Sequence, residues 1–363
     1  MIAPILQHLE RLVAFDTRNP PRQITADGIF ACLQSALPGF VHLVTDYGDG
    51  AITLLSTRGA PRRVFNFHLD TVPAAAGWSC DPHALQVRDG RAVGLGACDI
   101  KGAAAAMVVA ATATRGDLAL LFSSDEEAND PRCIRGFLRT AHGFTEAVVA
   151  EPTMAQARIM HRGIVSAQAR FRGIAGHASE RRALADSAVH RAIDWSHAAL
   201  TFARSRQAER FEELEGLPLN LGRIDGGIKS NVIADACELR FGFRPLPSHS
   251  VDALLAMFRA MAPPAELVSF DELFRGPPLP AGQGALAQQQ LQDARALAAS
   301  LGLPIGPAVN FWTEASLFSD AGLAALVFGP GDIAQAHTAD EWVSLEQLEQ
   351  VARHYQRIID TVH

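Results

Sequence analysis

Residues 64–70 read Val-Phe-Asn-Phe-His-Leu-Asp. A short run rich in β-branched and aromatic residues stops at His68 and Asp70. The run reads as a buried strand, and residues two apart on a strand project to the same side. The plan recurs twice. Leu118–Phe122 leads into Ser-Ser-Asp125-Glu126-Glu127, and Ala147–Ala150 leads into Glu151-Pro-Thr. Helical patterns lie between these strands: the alanine-rich Lys101–Ala113 and a helix around Cys133–His142. Two more strands, Val41–Val44 and Ala51–Ser56, flank a Tyr-Gly-Asp-Gly turn, behind two amphipathic helices within residues 1–37. Strands alternating with helices predict the α/β class, a mostly parallel sheet sandwiched by helices.

Carboxylates at the ends of buried strands are costly unless paired or bound to metal. Open α/β sheets bind ligands beyond the carboxyl ends of their strands. Two further clusters complete the set: Cys98-Asp99-Ile-Lys-Gly in a glycine-punctuated loop, and His337-Thr338 in Ala-Gln-Ala-His-Thr-Ala-Asp-Glu-Trp. Each cluster alone has an ordinary reading: a satisfied core histidine, a helix-capping aspartate, a solvated acidic turn. In fixed order they supply two imidazoles and at least three carboxylates, the ligand set of a two-metal hydrolytic centre. Mixed oxygen and nitrogen donors suit zinc, cobalt or manganese better than calcium. One carboxylate must bridge to hold two metals about 3.5–4 Å apart. Adjacent side chains diverge, so one of Glu126 and Glu127 can bind metal while the other faces a water.

The pattern changes after Met160. Ile164–Phe171 reads as a strand and Leu184–Ala203 as a helix. Strands near Leu217–Ile224 and Val232–Phe243 follow, then a helix at Val251–Met261 and a strand near Leu267–Phe270. This β-α-β-β-α-β order predicts a ferredoxin-like α+β sandwich, inserted between 1–161 and 274–363 as residues 162–273. The insert carries an exposed turn histidine, His177, and a polar stretch with Lys229, Asn231 and Arg244. An arginine with an amide suits a small-molecule carboxylate.

The 363 residues carry 48% hydrophobic and 20% charged residues and a formal net charge of −7. That is globular composition with no basic footprint for nucleic acid, and no apolar run approaches the ~20 residues of a membrane span. Five scattered cysteines with no CxxC pair argue against a disulfide framework or a zinc ribbon. The opening Met-Ile-Ala-Pro-Ile-Leu-Gln-His-Leu-Glu-Arg reads as a surface helix and not a signal peptide, and a cytoplasmic location is expected.

With His68-Leu-Asp-Thr-Val-Pro, Cys98-Asp-Ile-Lys-Gly, Asp125-Glu-Glu, Glu151-Pro-Thr and His337-Thr-Ala-Asp-Glu in order, the chain resembles the co-catalytic zinc aminoacylase and carboxypeptidase family. That family includes acetylornithine deacetylase, succinyl-diaminopimelate desuccinylase and carboxypeptidase G. The resemblance implies a zinc-exopeptidase-like catalytic domain with an inserted dimerisation and lid domain. It implies Zn(II) or Co(II), one or two per subunit, with His68 and Glu151 on one metal, Glu127 and His337 on the other, and Asp99 bridging. Asp70 would orient His68, and Glu126 would act as general base. His177 would stabilise the oxyanion from a partner subunit, while Asn231 and Arg244 would hold the substrate carboxylate, with Lys229 nearby. A cis peptide after the bridging acid, at Asp99–Ile100, is also implied. Ala178 and Ile100 stand where family members more often show a second serine and a second aspartate. Neither position supplies an essential ligand. The expected activity is hydrolysis of an N-acyl amino acid. A desuccinylase, a dipeptidase, or a non-catalytic metabolite-binding member is the alternative. Glu314 is a candidate for the pocket rim.

Overall fold

The computed structural model describes residues 1–140 and 142–361. The chain forms two compact units. One comprises Met1–Ile159, Gln289–Pro307 and Thr313–His363; the other comprises Met160–Gln288 and Ala308–Trp312. The segment 274–288, read from the sequence as returning chain, lies with the second unit. There Leu279 and His161 exchange backbone hydrogen bonds at 3.0 and 3.1 Å.

The first unit is built on a six-stranded sheet in the order Val41–Asp46, Ile52–Arg58, Leu118–Ser123, Arg63–His68, Glu146–Val149, Ala324–Val327. The last four strands are mutually parallel, and the first two add as an antiparallel hairpin. All six residues of Leu118–Ser123 are buried, as expected for a strand covered on both faces. The helix Gly102–Ala113 packs against Ile2–Val13 and Leu345–Thr361. Its first residue must be glycine, for a Cβ at Gly102 would lie 2.3 Å from the Ala97 carbonyl oxygen. The last helix buries Leu348, Val351, Ala352, Tyr355, Ile358 and Ile359, and the Tyr355 ring meets Phe65 and Phe67 edge-on. Each large apolar side chain buried this way contributes about 1.5–3 kcal/mol.

Two local departures bear on the site. The helix expected from Lys101 begins at Gly102, because Asp99 and Ile100 hold non-helical φ and ψ; the Asp99–Ile100 peptide is cis, as the resemblance implies. Lys101 itself is buried, with Nζ donating to the Phe15 carbonyl at 3.1 Å. The helix expected at Cys133–His142 spans Arg132–Leu138; residue 141 lies outside the described residues.

The second unit has a four-stranded antiparallel sheet in the order Leu219–Gly226, Ala236–Phe243, Ile164–Arg172, Leu267–Gly276. With the helices Ala188–Ser205 and Val251–Ala260 it makes the ferredoxin-like arrangement. Its core gathers Trp195, Phe241, Phe243, Phe258 and Phe270, and the Trp195 indole donates to the Phe258 carbonyl at 2.8 Å. The single helix expected at 184–203 is broken at Ser187, which is extended while the Ala188 N–H bonds to the Ala234 carbonyl. The strand expected at 232–243 is split. Val232–Ile233 turns away to pair with Gly176–His177, and Ala236–Phe243 alone joins the main sheet.

Candidate metal centre

Three parallel neighbours in the first unit, Leu118–Ser123, Arg63–His68 and Glu146–Val149, end on the same side. That register delivers Asp125–Glu127, His68–Asp70 and Glu151 to one edge of the sheet. Asp99 comes from the irregular loop before the helix Gly102–Ala113, and His337 from a loop residue with φ of 60°, a conformation few non-glycine residues adopt.

The side chains converge. His68 Nε2 lies 3.0 Å from Asp99 Oδ1 and 3.9 Å from Glu151 Oε1. His337 Nε2 lies 3.0 Å from Glu127 Oε1 and 3.5 Å from Asp99 Oδ2. Ligand atoms gather within 4.8 Å of one another in the sets His68/Asp99/Glu151, Asp99/Glu127/His337 and His68/Glu126/Glu127. The first two share Asp99, with one carboxylate oxygen toward each imidazole. A two-metal site needs this of a bridging ligand, so the donors fit a pair of divalent ions. The other face of the His68 ring is held by Asp70. Its Nδ1 is 3.1 Å from the Asp70 carbonyl oxygen and 3.6 Å from Oδ1. A histidine ligand needs such a partner to fix its tautomer.

Electrostatics point the same way. Burial, then repulsion from neighbouring carboxylates, raises the pKa of Glu126 and Glu151 well above the usual range, although the nearby His68 charge opposes it. Burial raises Glu127 too, against its bond to His337. Burial pulls His68 down, but bonds to Asp70 and Asp99 hold it well above its ordinary value. The bond to Glu127 pushes His337 up to about 9. Burial pushes Asp99 up, but the His68 bond together with the charges of His68 and His337 leaves it lowered. A bound cation relieves such crowding of negative charge.

Glu314 corrects the sequence reading. It is 2% exposed and does not lie on a rim. Its Oε2 accepts from Asn66 Nδ2 at 2.6 Å and Ser123 Oγ at 3.2 Å. Burial and the Asp125 charge push its pKa from 4.5 to about 8. The unfolded chain ionises it at the ordinary value, so the associated stability is full below about 4.5 and is lost as pH rises to about 8. Metal-free protein should therefore melt at lower temperature at pH 8 than at pH 6, and Glu314→Gln should flatten that slope. A variant with the wild-type slope in a melting series would exclude Glu314 as its source.

Several residues that hold the site escaped the sequence reading. Asn19 Nδ2 donates to Asp70 Oδ2 at 3.3 Å and to the Ser124 carbonyl at 3.0 Å. Arg22 Nη1 reaches the carbonyls of Gly50 and Ser124 at 2.8 and 3.1 Å. Both belong to the Asn-Pro-Pro-Arg segment, residues 19–22. Glu341 is buried and its carboxylate accepts backbone N–H groups from the Asp99 loop. Burial and the Asp99 charge push it up to about 7. The signal was available, since Glu341 closes the His-Thr-Ala-Asp-Glu motif.

The second unit carries the other candidates. Pairing of His177 with Val232 sets His177 beside Asn231, whose carbonyl accepts the Ala178 N–H at 3.0 Å. His177 is exposed, and its Nδ1 lies 2.7 Å from the Ser179 hydroxyl and 3.3 Å from the Ser179 backbone nitrogen. Arg244 is half-buried and lines a cavity of about 430 Å³ with Ser166, Asn220 and Leu273. Burial lowers its pKa. Lys229 is exposed, and its carbonyl accepts the Val232 N–H at 3.2 Å.

Residues 64–361 match the model of peptidase family M20/M25/M40. The chain is 56% identical to an N-acetyl-L-citrulline deacetylase of Xanthomonas campestris pv. campestris, over 100% of this chain and 99% of that one. It is 34% identical to an acetylornithine deacetylase of Shigella sonnei, over 79% and 76% of the two chains. In fold it is similar to an M20 family metallo-carboxypeptidase of Sulfolobus solfataricus. The TM-score is 0.76 at 11% identity, over 98% of each chain.

Proposed function

The chain belongs to peptidase family M20/M25/M40, and from that membership we propose a metal-dependent deacetylase acting on N-acetyl-L-citrulline or N-acetyl-L-ornithine. It releases acetate and the free amino acid, in arginine biosynthesis. The observation that carries the chemistry is the pair of ligand sets meeting at Asp99, with Glu126 beside them. The full-length likeness to the N-acetyl-L-citrulline deacetylase of Xanthomonas campestris pv. campestris supports the substrate.

His68, Glu151 and Asp99 would hold one Zn(II) or Co(II), and Asp99, Glu127 and His337 the other. When bound there, the metal supplies Lewis acidity, which polarises an amide carbonyl and acidifies water. Glu126 takes the proton of the attacking water and hands it to the leaving amine nitrogen. Burial raises its pKa, which suits a group that accepts a proton and returns it. Asp70 holds His68 in one orientation. By the family resemblance, His177 donates a ring N–H to the developing oxyanion of a partner subunit's centre. By the same resemblance Asn231 and Arg244, with Lys229 nearby, bind the substrate carboxylate; the guanidinium of Arg244, which has no ion pair among the described residues, supports that reading.

A homodimer through the second unit fits its edge strand Leu219–Gly226, which carries Ile224 at 47% exposure and leads to Ile228 at 83%. Among the described residues no helix is long and apolar enough to cross a membrane. The five cysteines are free thiols, as in a reducing compartment, and we place the protein in the cytoplasm.

The test of the substrate is initial acetate release from the two acetylated amino acids side by side, with cobalt present. N-acetyl-L-citrulline should win by about tenfold or more in kcat/KM, roughly 1.4 kcal/mol at the transition state. Turnover of a succinylated amino acid or dipeptide, with both acetyl substrates inert, would assign the same centre to a desuccinylase or dipeptidase. No turnover of any of them would leave the non-catalytic reading.

A further inference from the structure

Glu341 lies four residues after His337 and is 2% exposed. Its Oε1 accepts the N–H of Cys98 at 2.9 Å and of Asp99 at 3.0 Å, and its Oε2 accepts that of Gly96 at 3.1 Å. Its own carbonyl accepts the Gly94 N–H at 3.0 Å. The chain then continues as Trp342–Ser344, antiparallel to Arg91–Val93, with Trp342 opposite Val93. One stretch, 337–344, is thus zipped along another, 91–99. The first carries His337 and the second carries Asp99.

Burying a carboxylate is costly, and an ordinary loop could close with a neutral residue. Here one carboxyl group accepts from three nearby donors, of Gly96, Cys98 and Asp99, around the irregular backbone of Asp99, whose φ and ψ are −123° and 85°. The bonds fix the backbone of Asp99 itself, so they set where its two carboxylate oxygens point. The same segment sets His337, whose Nε2 is 3.5 Å from Asp99 Oδ2.

We propose that Glu341 is the positioning residue for the bridging ligand, holding the 96–99 loop so that Asp99 serves both halves of the centre. It touches neither substrate nor reacting atoms. The proposal rests on the reading of Asp99 as the bridge, and it adds to that reading a determinant of metal affinity outside the ligand set.

Glu341→Gln keeps the shape and one carbonyl oxygen, but turns an amide N–H2 toward one of the donors it should accept from. Glu341→Ala removes all the acceptors. Metal-free protein is titrated with Co(II) against a competing chelator, following visible absorption, and kcat, KM and melting temperature are recorded. Outer-sphere partners of metal ligands contribute about 10- to 100-fold in affinity. Glu341→Gln should lose about that much in Co(II) affinity, change the cobalt absorption band and lower kcat, with KM within about twofold and the metal-free melting temperature nearly unchanged. Glu341→Ala should lose more.

Wild-type cobalt affinity and spectrum in Glu341→Gln, with only a lower melting temperature, would overturn the proposal. Failure of the near-isosteric Gln variant to fold would overturn it too, since Glu341 would then be a folding residue. Asp99→Asn is titrated alongside. If Asp99→Asn binds two equivalents as tightly as wild type, the bridging reading itself fails. If Asp99→Asn loses binding while Glu341→Gln does not, only the Glu341 proposal falls.

Discussion

Glu126→Gln is expected to keep its metal and lose kcat by a factor of about 10²–10⁴, the usual share of a positioned acid–base group. Glu126 stands within 4.8 Å of ligand atoms of His68 and Glu127, yet the two sets that meet at Asp99 do not need it. Its carboxyl is held above the usual range by burial and by the charges of Glu151, Glu127 and Glu314. Glutamine has the same length and cannot take a proton. Metal content by elemental analysis and KM should therefore stay near wild type while kcat falls. A variant that turns over at a near-normal rate would remove Glu126 from the proton path. A variant that loses its metal would make it a ligand.

The larger effect is expected from Asp99→Asn. Five side chains are read as ligands, and among the described residues Asp99 is the carboxylate within 4.0 Å of both imidazoles, at 3.0 and 3.5 Å. Asparagine keeps the shape and removes the charge that would hold two cations together. Metal catalysis contributes several kcal/mol, each 1.36 of which is tenfold in rate, so activity should fall by about a thousandfold or more. Thermal melting gives an independent reading. A ligand at about 100 times its Kd stabilises by about 2.7 kcal/mol. Added Co(II) should raise the melting temperature of the wild-type protein and leave that of Asp99→Asn nearly unmoved. An equal rise in both would show that the bound metal does not depend on Asp99.

Much of this centre was legible because it lies at the ends of buried strands. His68, Glu126, Glu127 and Glu151 each follow an apolar run, and parallel register turns that shared position into spatial proximity. Asp99 and His337 sit in irregular loops, where spacing says nothing about distance. They entered through order and resemblance. The supports were hidden for a different reason. Glu341 bonds a backbone N–H 242 positions away, and Asn19 reaches an aspartate 51 positions away; local periodicity carries no trace of either. Lys101 and Glu314 look like surface residues by type, yet both are buried, which only the tertiary structure reveals. In the second unit the overall order of elements was legible. The breaks at Ser187 and Ala234–Asp235 were not, because they go with distant contacts: the Ala188 N–H bonds the Ala234 carbonyl, and Val232–Ile233 pairs with Gly176–His177.

The most direct measurement is acetate release from N-acetyl-L-citrulline by chelator-treated protein as Co(II) or Zn(II) is added back. A metal-dependent deacetylase predicts background release without metal and recovery of turnover on its return. Full turnover with the metal removed, or none with it restored, would contradict the account.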